Sequence, residues 1–185
     1  DELNMNHHRL EARRFPDSEG YFRVPSESVE DIRSETVILV SNTFPDSGII
    51  ETLLLLEALR DVQKGDISDI RNINSNLEPV DNLLLLAIPY FGYSRQDKRF
   101  NQGEVVSAKA IGKLLANRCD GIIVLDLHAP EALKHLDSPI FFASSMKEIA
   151  NYLNSEIIPD FILSPDKGAI ERASEVAALI GCKFS

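Results

Sequence analysis

Eleven consecutive residues, Pro89-Tyr90-Phe91-Gly92-Tyr93-Ser94-Arg95-Gln96-Asp97-Lys98-Arg99, follow directly on the apolar run Leu83 to Ile88. A strand that ends only to turn back needs no such mixture of aromatics, glycine and charge. A ligand bearing phosphate does. An arginine forks onto phosphate oxygens, and an adjacent glutamine both donates and accepts. Arg95 and Gln96 are therefore candidate ligand groups, with Tyr90, Phe91 and Tyr93 offering flat apolar surface beside them. Loops at the carboxyl ends of strands are where open α/β sheets bind ligands, so the stretch points to a nucleotide or sugar-phosphate site.

Two further segments carry similar chemistry. In Asp126-Leu127-His128, alternation along an extended strand would turn Asp126 and His128 the same way. Ser164-Pro165-Asp166-Lys167-Gly168 reads as a turn into a helix whose amino end attracts anions. A parallel sheet would bring all three strand ends to one edge. Each also has a plain reading: Asp126 as a cap, His128 as a satisfied loop histidine, Ser164-Pro165-Asp166 as a simple helix start. In a fourth segment, Arg13-Arg14-Phe15-Pro16-Asp17-Ser18-Glu19, turn chemistry between two edge strands is the favoured reading. Its ligand reading has Phe15 stacking on a base while Asp17 and Glu19 accept hydrogen bonds.

Strands and helices alternate around these segments. Thr36–Val40, Leu83–Ile88, Gly121–Leu125 and Asp160–Leu163 read as strands. Ile49–Val62, Val105–Arg118, Ser144–Leu153 and Gly168–Ile180 read as helices, and Leu10–Phe15 and Tyr21–Val24 as two early strands. Continuous apolar strands between helices imply an α/β fold, with a mainly parallel sheet covered on both faces. The polar stretch Lys64–Asn82 reads as a surface excursion, and a domain boundary is placed near Phe142–Ser145. Ile49–Leu56 is nearly apolar all round, so it is either core or an oligomer interface. His7-His8 reads as a flexible accident.

Composition narrows the function classes. The 185 residues carry 19 Lys and Arg against 29 Asp and Glu, a net charge of −10, which argues against nucleic acid and anionic membrane as partners. Two cysteines, Cys119 and Cys182, make neither a disulfide framework nor a metal site. A cytoplasmic, reducing setting is the default, with Cys119 as inert packing. No stretch reads as a signal peptide or a spanning helix.

Taken together and in order, the four segments resemble ribose-phosphate diphosphokinase, the PRPP synthetase family. Phe15-Pro16-Asp17-Ser18-Glu19 is similar to its F-x-D-G-E loop and Pro89 to Asp97 to its P-Y-x-x-Y-x-R-Q-D motif. Asp126-Leu127-His128-Ala129 matches its D-L-H-A, and Ser164-Pro165-Asp166-Lys167-Gly168 its S-P-D-x-G. The resemblance implies a phosphoribosyltransferase-like fold, with residues 1–143 as an N-terminal domain lacking its first strand and helix and 144–185 as the start of a similar second domain. It implies transfer of a diphosphoryl group from Mg-ATP to the 1-hydroxyl of ribose 5-phosphate, in nucleotide biosynthesis, with release of AMP.

By the same resemblance Phe15, Asp17, Ser18, Glu19, Arg95, Gln96 and Asp97 would hold ATP, the first group from a neighbouring subunit. Asp126, His128, Asp137 and Asp166 would place magnesium, directly or through water, in a homo-oligomer built from dimers. Ser18, Val105, Ala169 and Phe141 depart from the family pattern, and Lys64–Asn82 is longer than the family's segment. The family's catalytic lysine loop, its acidic pair and its phosphate loop are not among these residues. With Asp1 in place of an initiator methionine, this suggests a fragment that would not turn over alone. A non-catalytic regulatory or scaffold homologue is the alternative. A phosphoribosyltransferase is a third reading, disfavoured because it uses no Arg-Gln-Asp motif.

Overall fold

The computed structural model describes residues 5–65 and 81–185, and most of the Lys64–Asn82 excursion lies outside them. The chain divides into two compact units, Asp1–Phe142 and Ala143–Ser185.

The first unit opens with a hairpin in which β1 (Glu11–Arg14) pairs antiparallel with β2 (Gly20–Arg23). A short helix, α1 (Val29–Ser34), follows. Three apolar runs then become strands of a four-stranded sheet: β3 (Val37–Val40), β4 (Leu84–Ile88) and β5 (Gly121–Leu125). The fourth is β6 (Ile140–Ala143), and the order is β3-β4-β5-β6. The pairs β3–β4 and β4–β5 are parallel, with Leu39 opposite Leu86 and Ile88 opposite Val124. Leu84, Leu86, Ile88, Ile122 and Val124 are all buried. Each contributes roughly 1.5–3 kcal/mol by leaving water, which is why these runs end as strands inside a covered sheet.

Two helices are the crossovers. α2 (Asp46–Gln63) follows Pro45 and buries Ile49, Thr52, Leu56, Leu59 and Val62 at helical spacing. Ile50 and Leu54 remain exposed on it, so part of the all-round apolar stretch is core and part is surface. α3 (Ser107–Ala116) buries Ala108, Gly112 and Leu115. A Cβ on Gly112 would lie 2.6 Å from Leu133 Cδ2. The glycine thus lets the buried Leu133, just after the 3-10 turn Pro130–Ala132, seat directly on the helix.

The second unit contains α4 (Met146–Glu156), β7 (Phe161–Ile162), α5 (Ile170–Ile180) and β8 (Lys183–Phe184). β7 pairs in parallel with β8 in a sheet of its own, and the two helices meet through Met146, Ala150 and Val176. The expectation that the Asp166 segment leaves the same sheet edge as the other two is therefore corrected. β7 is only two residues long and pairs forward with β8 rather than joining the larger sheet.

His8 is no accident of a loose terminus. Its Nδ1 lies 3.0 Å from Ser28 Oγ and its Nε2 3.0 Å from Asp31 Oδ2, which ties the N-terminal segment to α1. Among the described residues no helix is long and apolar enough to cross a membrane.

Burial raises the Cys119 thiol to about 11, with the Asp120 charge adding to the effect. The thiolate is the reactive form, so Cys119 in the native chain should react about 100-fold more slowly than an ordinary thiol at pH 8. Counting thiols with a disulfide-exchange reagent should give one fast group, Cys182, and a second only on denaturation. Two equally fast thiols in the native chain would contradict the burial argument.

Candidate functional site

Because Ile88 of β4 lies opposite Val124 of β5, the two strands end side by side, and Pro89 and Asp126 leave the sheet at the same edge. β3 ends there too, with Ser41 N–H donating to the Ala87 carbonyl at 3.0 Å. Three loops thus meet at the carboxyl edge of one parallel sheet, the position where such sheets bind ligands.

The loop after β4 is built by anchoring both its ends. At the first, the Asn42 side-chain oxygen accepts from Tyr90 N–H at 2.9 Å and Thr43 Oγ1 from Gly92 N–H at 2.7 Å. Phe91 is inside the core, so its expected role as ligand-facing surface is corrected: buried, it roots the loop instead. Tyr90 and Tyr93 remain exposed. Tyr93 adopts φ +63° and donates its hydroxyl to Asp46 Oδ1 at 2.8 Å. That hydrogen bond, with the Asp46 charge, raises the Tyr93 phenol above its ordinary range.

At the far end, the Gln96 carbonyl accepts from Ala108 N–H at 3.2 Å and its side-chain oxygen from Ser107 Oγ. This leaves the Gln96 side-chain amide nitrogen as its donor toward a ligand. Between the anchors stands Arg95, exposed and without an ion pair to any described residue. An unpaired guanidinium held between two fixed points is suited to grip an anion.

Beyond Gln96 the loop folds on Glu104. Its carboxyl takes the Asn101 amide and Phe100 N–H, which hold it below the usual carboxylate range, and Arg99 Nε donates to the Glu104 carbonyl at 2.6 Å. Asp97, Lys98 and Arg99 share an open groove of about 690 Å³ with Lys109, Lys113 and His135. In a chain of net charge −10, Lys98, Arg99, Lys109 and Lys113 outnumber the groove's two carboxylates, Asp97 and Glu131, and leave the local positive excess that an anionic ligand needs.

The loop after β5 departs from expectation. Asp126 has φ +47°, so the backbone has left the extended region and strand alternation does not relate Asp126 to His128. Asp126 is half-buried, Leu127 is buried and His128 is exposed. Asp137 is exposed after the Leu133 turn. Asp166 belongs to the second unit, where its Oδ1 accepts from Ala169 N–H at 3.0 Å, the helix-start role. Among the described residues no three His, Cys, Asp or Glu side chains converge on one point. Asp126 and His128 put a carboxylate and an imidazole on one loop, a pair that suits magnesium, which keeps its waters and shares a substrate's phosphates rather than filling a protein cage.

The Phe15 segment is the turn of the β1–β2 hairpin. Phe15 N–H donates to the Glu19 carbonyl at 2.8 Å and Ser18 N–H to the Phe15 carbonyl at 2.9 Å. Asp17 Oδ1 accepts from Glu19 N–H at 3.1 Å, while Phe15 stays exposed, edge-on to Tyr21 and beside Arg13. Ser18 sits at φ +76°, a conformation that favours glycine. Turn and presented ring coexist here.

No protein-family model matches the chain. Curated relatives do: the ribose-phosphate pyrophosphokinase of Sulfolobus acidocaldarius is 32% identical over 180 residues, covering 96% of this chain and 55% of that protein. Its counterpart in Saccharolobus solfataricus is 34% identical over 180 residues, with the same coverage. The chain is a homologue of the ribose-phosphate pyrophosphokinases. It spans about half the length of the curated relatives it matches. Among solved structures, phosphoribosylpyrophosphate synthetase from Mycobacterium smegmatis superposes with a TM-score of 0.67 at 24% identity, over 99% of this chain and 56% of that one. The fold is therefore the α/β, phosphoribosyltransferase-type fold of that enzyme.

Proposed function

We propose that this chain carries the ATP-binding side of a ribose-phosphate pyrophosphokinase. The observation that supports it most is Arg95, without an ion pair to any described residue and held between two anchored points at the carboxyl edge of the sheet. In the proposed reaction the 1-hydroxyl oxygen of ribose 5-phosphate bonds to the β-phosphorus of ATP. The bond from that phosphorus to the oxygen bridging to the α-phosphorus breaks, AMP leaves with that oxygen, and the hydroxyl proton passes to solvent. Such transfer asks for positioning and charge neutralisation rather than covalent catalysis.

Arg95 binds phosphate oxygens, the Gln96 amide donates beside it, and Asp97 with Lys98 and Arg99 shapes the groove's charge. Magnesium, held by Asp126 and His128 directly or through water, would supply neutralising charge on the phosphates, with Asp137 a further acidic position on the same unit; Asp166 is assigned separately, as an acidic position for magnesium on the second unit. Phe15, Asp17, Ser18 and Glu19 are assigned to the adenine, presented to a neighbouring copy in a cytoplasmic homo-oligomer built from dimers. The exposed Ile50 and Leu54 of α2 suit such an assembly. The unit Asp1–Phe142 is read as a phosphoribosyltransferase-like domain and Ala143–Ser185 as the start of a second, similar one.

A regulatory or scaffold homologue is the second reading, and the observation behind it is Ser18 at φ +76°. A side chain there costs on the order of 1 kcal/mol against glycine in the loop meant to serve the adenine.

His128 gives the test of the metal assignment. Magnesium should tighten ATP binding by wild type about tenfold, and His128→Ala should lose most of that gain, because the imidazole holds the ion or one of its waters. Calorimetric titration of ATP with and without magnesium reads both. An identical magnesium dependence in the two proteins would make His128 a structural loop residue.

A further inference from the structure

The segment after β3 contributes no group to the proposed site, yet five hydrogen bonds join it to the Arg95 loop, one of them from Thr43 Oγ1 to the Tyr90 carbonyl at 3.4 Å. Asn42 Oδ1 takes Tyr90 N–H at 2.9 Å and Thr43 Oγ1 takes Gly92 N–H at 2.7 Å. Thr43 N–H donates to the Tyr90 carbonyl at 3.2 Å, and Asp46 Oδ1 accepts the Tyr93 hydroxyl at 2.8 Å. Thr43 is only 1% exposed, so water cannot replace its hydroxyl cheaply.

The segment is itself fixed. Ser41 Oγ lies 2.7 Å from Thr52 Oγ1, which donates to the Gly48 carbonyl at 2.7 Å inside α2. A Cβ on Gly48 would come within 2.8 Å of the Asn42 carbonyl oxygen, so the first turn of α2 presses directly against the segment. On the other side, Gln96 N–H closes a turn onto the Tyr93 carbonyl at 3.0 Å. The place of Arg95 therefore descends from α2 through Thr43 and Tyr93.

We infer that Asn42, Thr43 and Asp46 are positioning residues that clamp the Arg95–Gln96 loop, so that the β3–α2 segment sets how Arg95 meets a phosphate. The binding arm of the inference rests on the nucleotide reading above; the clamp itself does not. None of the three residues needs to touch the ligand. Loosening the clamp removes preorganisation, and the ligand must then order the loop at its own expense.

The experiment uses the 185-residue chain, with amide hydrogen exchange by NMR and ATP affinity by calorimetry. Thr43→Val keeps the shape and removes the hydroxyl. Exchange at Gly92 and Gln96 should rise at least tenfold, with Leu86 and Ile122 unchanged, and ATP affinity should fall about tenfold. Thr43→Ser should restore both. A merely structural threonine would speed all amides together and leave affinity alone. Should Thr43→Val not fold, Asn42→Ala and Tyr93→Phe carry the same test, since both change exposed side chains.

Wild-type exchange at Gly92 and Gln96 in the folded variants would overturn the clamp. Local loss of protection with wild-type ATP affinity would overturn its influence on Arg95. Local loss of protection when no form binds ATP, wild type included, would support the clamp and overturn the nucleotide reading instead.

Discussion

Gly92→Ala should destabilise the chain by roughly 2–5 kcal/mol, from overpacking together with a lost buried hydrogen bond. The new Cβ would stand 2.3 Å from the Thr43 carbonyl oxygen and 3.2 Å from the carbon bearing it. Both are backbone atoms, so no rotamer change relieves the overlap. Either the Thr43 peptide retreats or Gly92 does, and in both cases the 2.7 Å bond from Gly92 N–H to Thr43 Oγ1 breaks. For a chain of this length the melting temperature should fall by roughly 5–15 °C, read by circular dichroism. A melting temperature within a degree or two of wild type would mean that the two loops are not packed as described.

The sheet was legible because its strands are short, unbroken apolar runs. Leu84–Ile88 and Gly121–Leu125 could only be buried strands once helices stood between them, and a parallel pairing then followed, though its register came only from the structure. The elements that escaped are short and lack a pattern: α1 has only six residues, and Ile140–Ala143 was hidden by proximity to the expected boundary. β7 lies within the expected strand Asp160–Leu163, but it and β8 have two residues each, too few to show which sheet they join, which is why the expectation of a single sheet edge failed for Asp166.

The site was half legible for a similar reason. Residue type singled out Arg95 and Gln96 as candidates, since an arginine after an apolar strand has little structural use, and the structure places both in a loop anchored at its two ends. Residue type misread Phe91, because an aromatic ring suits a core as well as a ligand and only the fold decides. Alternation misled at Asp126, where a left-handed residue ends the strand. Thr43 and Asn42 were invisible: they act on residues 47 to 49 positions later, and nothing local marks a threonine as holding a distant loop. His8 escaped likewise, its partners Ser28 and Asp31 lying on another element.

The central claim is that Arg95 receives the phosphates of ATP, and it is tested by calorimetric titration of Mg-ATP into wild type and Arg95→Ala. The side chain is exposed and has no partner among the described residues, so its removal leaves the fold alone, and equal melting temperatures for the two proteins serve as the control. A charge-assisted, forked contact contributes about 1.5–3 kcal/mol, which corresponds to roughly a 10- to 150-fold loss of affinity. The loss should shrink as salt rises, because an exposed cation is screened. Saturable one-to-one binding by wild type and a loss of that size in the variant is the predicted result; equal affinity in the two proteins, or no binding by wild type, would contradict it.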